Sequence, residues 1–331
     1  MIQFHFHTSE KAEESLSKRE GETRLGQTVS YVSSLEDLKD HPARYVLFGI
    51  CEDIGVRANF GKRGAATAWP AFLNAFLNVQ DNQFNTGRDT ILLGHISVKP
   101  DTDVHDETPK EELGAIVSRI DKMVSQVVKA IVAAGKIPIA IGGGHNNAFG
   151  MIKGTAMAIE QAINVINIDA HTDLRKTDYR HSGNGFRYAY EHEPSLLKKY
   201  GVFGLHKNYT PDYIFEWMAE HKKDISYTIF EEIISKNRIV EDFEDFARGL
   251  NDAAFGLEID CDSIENFKSS AQTPSGLKLN DIRNIISTIS LNKHCCYFHL
   301  CEAAPSSKNP SQVGKALSYM VTDFIHSKDD Y

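Results

Sequence analysis

The chain has 331 residues, 41% of them hydrophobic, and a formal net charge of −9. That much apolar material supports a large core and excludes wholesale disorder, and the acidic balance argues against a nucleic-acid partner. Five cysteines (Cys51, Cys261, Cys295, Cys296, Cys301) form no C-x-x-C pair. They fit reduced thiols in a cytoplasmic protein better than a disulfide frame. The N-terminus shows no signal-peptide pattern, and no apolar run approaches the ~20 residues of a membrane span.

The first ~40 residues are polar, with REGETRLGQ (19–27) reading as their most structured part. YVLFGI (45–50) reads as a buried strand that opens into CEDIGVRANFGKRGAATAW (51–69), a stretch of loop composition. ILLGHISV (91–98) is a second strand. Residues 111–134 have helix spacing, with Leu113, Ile116, Ile120, Met123, Val127 and Ile131 on one side and Gly135 as the stop. IPIAIGGGH (137–145) reads as strand and glycine turn, 146–160 as helix, and NVINIDAH (164–171) as strand again. GVFGLH (201–206), ISYTIF (225–230), AFGLEIDCD (254–262) and CCYFHLCEA (295–303) complete the strands, with helices over 211–221, 240–252 and 280–290. This alternation, without repeat or linker, predicts one α/β domain over residues 1–331. Its sheet is mostly parallel and covered on both faces.

In such sheets ligands bind beyond the carboxyl ends of the strands. Three strand ends here carry unusual polar residues: His145 after IPIAIGGG, then Asp169, His171 and Asp173 after NVINI, then Asp260 and Asp262 after AFGLEI. In extended backbone, residues two apart face one side, so each group is expected to point at a common centre. Four converging carboxylates repel unless cations neutralise them. A pair of divalent ions resolves the conflict. The set of four Asp and two His, without sulfur, suits Mn2+ while leaving Ni2+, Co2+ and Fe2+ open. Cys261, between two of these ligands, is expected to point the other way as core filler.

IGGGHNN, NIDAHTD and LEIDCD, in this order, resemble the metal motifs of the ureohydrolases: arginase, agmatinase and formimidoylglutamase. The resemblance runs from about Arg19 to about Pro305. It implies a three-layer α/β/α arginase-like domain with two Mn2+ per chain. By motif, His145 and Asp173 would hold one ion, His171 and Asp262 the other, and Asp169 and Asp260 would bridge them. The family keeps a hydroxide between the ions, since two cations lower the pKa of a shared water. The resemblance gives Asp173 a second role in proton transfer. Glu302, in YFHLCEAAP, would pair with an amidinium or guanidinium of the substrate. Family members often form trimers or hexamers, which implies a homo-oligomer.

Within the family, HSGNGFRYA (181–189) places Phe186 where arginases and agmatinases often carry a histidine. Ser182 and Asn184 of this loop are expected at the substrate. Arg175 stands where arginases tend to have Asn, and Arg187 follows Phe186. Two arginines beside one site point to an anionic substrate, because guanidinium matches carboxylate in bidentate geometry. GLHKNYT (204–210) lacks the acid with which the arginase loop meets a free α-amine. GVRANFGKRGA (55–65) and REGETRLGQ resemble formimidoylglutamases and add Arg57 and Asn59 as pocket residues. The expected substrate is a small anionic amidine, foremost N-formimidoyl-L-glutamate, hydrolysed to L-glutamate and formamide in histidine degradation. An arginase, an agmatinase or a guanidino-acid hydrolase releasing urea stays open as a related alternative. A deacetylase-like amidohydrolase and a non-catalytic binding protein of this fold are more distant ones.

Overall fold

The computed structural model describes residues 1–98, 107–236, 238–306, 308 and 310–326. Among the described residues, nine strands form one sheet: β1 (Ile2–Phe6), β2 (Tyr45–Cys51), β3 (Thr90–Val98), β4 (Ile137–Ile141), β5 (Ile163–Ile168), β6 (Leu197–Leu205), β7 (Ile225–Ile229), β8 (Phe255–Asp260) and β9 (Cys295–Cys301). Their spatial order is β1-β3-β2-β4-β9-β8-β5-β6-β7. Every pairing is parallel except that of β1 with β3.

The strands are apolar on both sides, as parallel strands between helical layers must be. Along β5, Ile166 and Ile168 join one core and Ile163 and Val165 the other. The first core also holds the apolar faces of α3 (Ala68–Phe76), α9 (Ile239–Ala247), α10 (Leu279–Ser290) and α11 (Pro310–His326). The second holds α4 (Lys110–Ala133), α5 (Asn147–Ile159), α6 (Gly185–Tyr190) and α7 (Asp212–Glu220). The long helix α4 buries Leu113, Ile116, Val117, Ile120, Val124, Val127, Val128 and Ile131. Each such side chain contributes about 1.5–3 kcal/mol of transfer free energy. Gly150 lets α5 approach closely, because a Cβ there would fall 2.7 Å from Val124. The expected three-layer α/β/α architecture is therefore observed.

Some local expectations differ. The polar N-terminal segment contains β1, which pairs antiparallel at the sheet edge through Ile2↔Val98 to Phe6↔Gly94, followed by α1 (Ser9–Glu14). The stretch expected to be loop after β2 carries α2 (Ile54–Ala58) and most of the approach to α3, whose Trp69, Phe72 and Phe76 are buried. Its glycines and charges mark the joints between these helices. The short α8 (Phe230–Ile233) follows β7 directly.

The order β4-β9-β8-β5 positions the site. The chain leaves β4, crosses through α5 and enters β5 three places away; β8 and β9 later fill the gap. The carboxyl ends of four adjacent central strands thus meet where the winding of the sheet reverses, the location at which open α/β sheets bind ligands.

Candidate metal centre

Beyond β4, Gly142 and Gly143 adopt φ of +92° and +73°, a left-handed turn that side-chain-bearing residues enter only at a cost. The turn is fastened by Glu52 at the end of β2. Its carboxylate accepts from the backbone N–H of Ile54 at 2.7 Å and Gly144 at 3.1 Å, and from the amides of Asn146 at 3.1 Å and Asn147 at 2.6 Å. Burial pushes this carboxyl up from its ordinary pKa, and the amide donors oppose the shift. The result fixes His145, 1% exposed, ahead of α5. Sequence reasoning missed Glu52; its only signal was an acid directly after an apolar strand.

The other motifs converge for a different reason than strand alternation. β5 stops at Ile168 and β8 at Asp260. In each case the first aspartate turns the chain: Asp169 Oδ1 accepts from the His171 N–H, and Asp260 Oδ1 from the Asp262 N–H, both at 2.7 Å. Residues 261–263 form a 3-10 turn in which Cys261 packs into the apolar core, as expected of a filler. Asp173 and Glu302 lie in left-handed backbone, at φ +49° and +60°. Such residues carry ~1–3 kcal/mol of strain each and collect at functional sites.

The carboxylates gather around one ring nitrogen. His145 Nδ1 is 2.9 Å from Asp173 Oδ2, 3.0 Å from Asp260 Oδ2 and 3.2 Å from Asp169 Oδ2. One ligand atom from each of these four residues lies within 4.8 Å of the others. His171 Nδ1 stands 3.4 Å from the other oxygen of Asp169. Asp262 accepts from the Ala271 N–H at 2.9 Å and the Ser270 hydroxyl at 3.2 Å. His171, Asp173, Asp260 and Asp262 line one cavity of about 140 Å³. Sulfur is nearer than the sequence implies, since Cys301 lies within 4.8 Å of His145 and Asp260, but its thiol turns toward the Ile259 carbonyl at 3.6 Å.

The electrostatics are those of a cluster short of positive charge. Burial drives Asp260 well above the usual carboxylate range, with the charges of Asp169 and Asp262 adding to it. Burial likewise raises Asp173 and Asp262. Burial alone would lower His171, but Asp169 outweighs it and lifts the imidazole to about 10. Both ring nitrogens of His145 are buried without a hydrogen-bond partner. Orphaned imidazole nitrogen ringed by carboxylate oxygens fits divalent cations, which supply the missing charge and accept the lone pair.

Glu302 follows β9. Its Oε1 accepts from the His145 N–H at 2.7 Å, while Oε2 has no hydrogen-bond partner. Burial, then the charge on Asp262, raises this carboxyl to about 8. Of the expected substrate residues, Arg175, Asn59 and Ser182 line the same cavity, and Asn59 donates to the Ser182 hydroxyl at 3.2 Å. Three others do not line it. Arg187 pairs with Glu191 at 2.7 Å and lies over the Trp217 ring, because the i,i+4 acid that follows α6 as its C-cap captures it. Arg57 is buried in α2 and borders a neighbouring cleft with Lys62, Arg63 and Lys110. Asn184 is fully buried and ties its own loop: its carbonyl accepts from Arg180 at 2.6 Å, and its amide donates to the Tyr179 carbonyl at 2.8 Å. Phe186 packs edge-on against His145, with centroids 5.0 Å apart. Tyr209, in the GLHKNYT loop, is a cavity residue the sequence did not reveal; it stacks on His171 at 5.1 Å.

Residues 43–326 match the profile of the arginase family. The chain is 27% identical over 312 residues to a formimidoylglutamase of Lysinibacillus sphaericus, covering 92% of this chain and 91% of that one. Among solved structures it resembles formiminoglutamase of Trypanosoma cruzi with Mn2+ (TM-score 0.74, 20% identity, 92% of this chain and 98% of that one). It also resembles formimidoylglutamase of Bacillus subtilis (TM-score 0.76, 14% identity, 94% and 93%).

Proposed function

The chain belongs to the arginase family, and from that premise we propose that it is a dinuclear-manganese hydrolase of N-formimidoyl-L-glutamate. Water and substrate give L-glutamate and formamide. The observation that carries the reading is the composition of one narrow cavity, lined by His171, Asp173, Asp260, Asp262, Glu302 with a partnerless oxygen and a single arginine, Arg175, with the buried His145 ring against its aspartates.

Bound cations would supply a nucleophile at neutral pH by lowering the pKa of a shared water. The chain's own residues do the rest. Glu302 holds the amidinium end through Oε2, its Oε1 being fixed by the His145 N–H. Asp173, at the cavity wall, holds the proton that departs with the glutamate nitrogen. Arg175 pairs with a substrate carboxylate in bidentate geometry. Asn59, Ser182 and Tyr209 offer amide and hydroxyl groups to the remaining polar atoms. No acid stands in residues 204–210 to receive a free α-amine, and N-formimidoyl-L-glutamate has none. The name of the Lysinibacillus relative supports the same substrate. We place the enzyme in the cytoplasm, consistent with five free cysteines. No helix among the described residues is long and apolar enough to cross a membrane.

A guanidino acid would satisfy Arg175 equally, so the test is a substrate panel. Mn2+-loaded protein is offered N-formimidoyl-L-glutamate, arginine, agmatine and 4-guanidinobutyrate, with formamide and urea measured. Formamide from the first compound alone is expected. Urea from any other, without turnover of the first, overturns the assignment.

A further inference from the structure

One buried acid has no task in the chemistry above. Glu258 lies in β8 between Leu257 and Ile259, both core residues, and is 0% exposed. A fully buried carboxylate costs several kcal/mol unless its surroundings compensate. Here they do: Oε1 accepts from the Tyr297 hydroxyl at 2.8 Å, and Oε2 lies 2.6 Å from His299 Nδ1. His299 Nε2 lies 3.3 Å from the carbonyl oxygen of Gly142, the first residue of the turn that leads to His145. Glu258 Oε2 also stands 3.6 Å from His145 Nε2.

We propose that Glu258 is a positioning residue acting on the metal centre through His145. The inference rests on the reading of His145 as a metal ligand. Nδ1 of that ring faces three carboxylate oxygens and must present its lone pair there to bind a cation. The ring proton then sits on Nε2, the nitrogen that faces Glu258. A carboxylate behind a ligating histidine fixes the tautomer, orients the ring and makes it a stronger donor. Phe186, edge-on to the ring, closes a third side. His299 and Tyr297 hold Glu258 in place, and His299 couples it to the glycine turn, so one buried group controls both the ring and the backbone that carries it.

The test compares wild type, Glu258→Gln, Glu258→Asp and His145→Asn, each titrated with Mn2+ by calorimetry and melted with and without Mn2+. Glu258→Gln keeps the shape and removes the charge. It is expected to weaken the tighter Mn2+ site about 10–100-fold and to shrink the rise in Tm that Mn2+ produces. Glu258→Asp keeps the charge and should restore part of the affinity. In a His145→Asn background, Glu258→Gln should change Mn2+ affinity no further. A Glu258→Gln protein whose Mn2+ affinity matches wild type, or whose Tm falls equally with and without Mn2+, overturns the role and leaves the acid as a packing element. Wild type that binds no Mn2+ overturns the metal centre itself, a distinguishable result.

Discussion

His145 and His171 stand on either side of the Asp169 carboxylate, at 3.2 and 3.4 Å, yet the side chain of the first is 1% exposed and that of the second 29%. His145 follows a glycine turn clamped by Glu52, donates its backbone N–H to Glu302, and has Glu258 behind its ring. His171 sits on the loop after β5, at the cavity wall, with Tyr209 stacked against it. The contrast teaches that two histidines on one carboxylate need not have equivalent surroundings. On the proposed dinuclear reading, the buried side would retain its ion, and the open side, which faces the cavity, would exchange its ion more readily.

The largest expected effect comes from removing either histidine. His145→Asn and His171→Asn should each lower kcat/KM by about a thousandfold, since metal catalysis contributes several kcal/mol. They should differ in metal content. By elemental analysis after dialysis, His171→Asn retains one Mn2+ and His145→Asn retains less than that. Equal loss of both ions from the two variants would erase the distinction.

A smaller effect concerns pH in the metal-free protein. Glu302 is raised to about 8 and His171 to about 10, and Asp173, Asp260 and Asp262 are raised as well. The folded protein therefore holds protons that the unfolded chain gives up, and stability falls as pH rises through these values. Asp169, lowered by the neighbouring His145 and His171 against the opposing effect of burial, works the other way, but only at acid pH below the ordinary carboxylate range, so it offsets nothing between pH 5 and 8. The Tm of EDTA-treated protein should drop on the order of 5 °C between pH 5 and 8. Saturating Mn2+ should flatten that slope. A metal-free Tm that climbs over this range contradicts the charge balance described here.

The smallest effect separates two arginines 12 positions apart in the chain, Arg175 and Arg187. Arg175→Ala should raise KM for N-formimidoyl-L-glutamate about 10–100-fold, the cost of losing a charge-assisted partner. Arg187→Ala breaks a pair with Glu191 away from the cavity and should change KM less than threefold. Similar KM changes would show that the outer loop reaches the substrate after all.

What was legible in the sequence follows the physics of regular structure. Strand ends and the polar residues gathered beyond them can be read because apolar runs mark where a parallel sheet stops. The direction of a loop side chain is set by turns that leave no periodic trace. Asp260 and Asp262 both reach the cavity through a side-chain-capped turn and not through the extended geometry expected of them. Arg187 was misplaced although its i,i+4 partner Glu191 stood in plain view. Glu52 and Glu258 were invisible for another reason: a buried acid is recognisable only once its donors, drawn from distant segments, are known. β1 and α1 went unread because an edge strand and a short helix need few apolar residues.

The last strand in the chain occupies the middle of the sheet, inserted between β4 and β8. The His145 N–H and the Glu302 carboxylate that accepts from it are 157 positions apart. Contacts of such long range are formed late and slowly, because loop closure must precede them. Without β9, the half of the sheet that carries His145 and the half that carries the aspartates are unjoined. On the proposed reading, a protein cut short before residue 295 would carry every proposed ligand without the strand that brings them together.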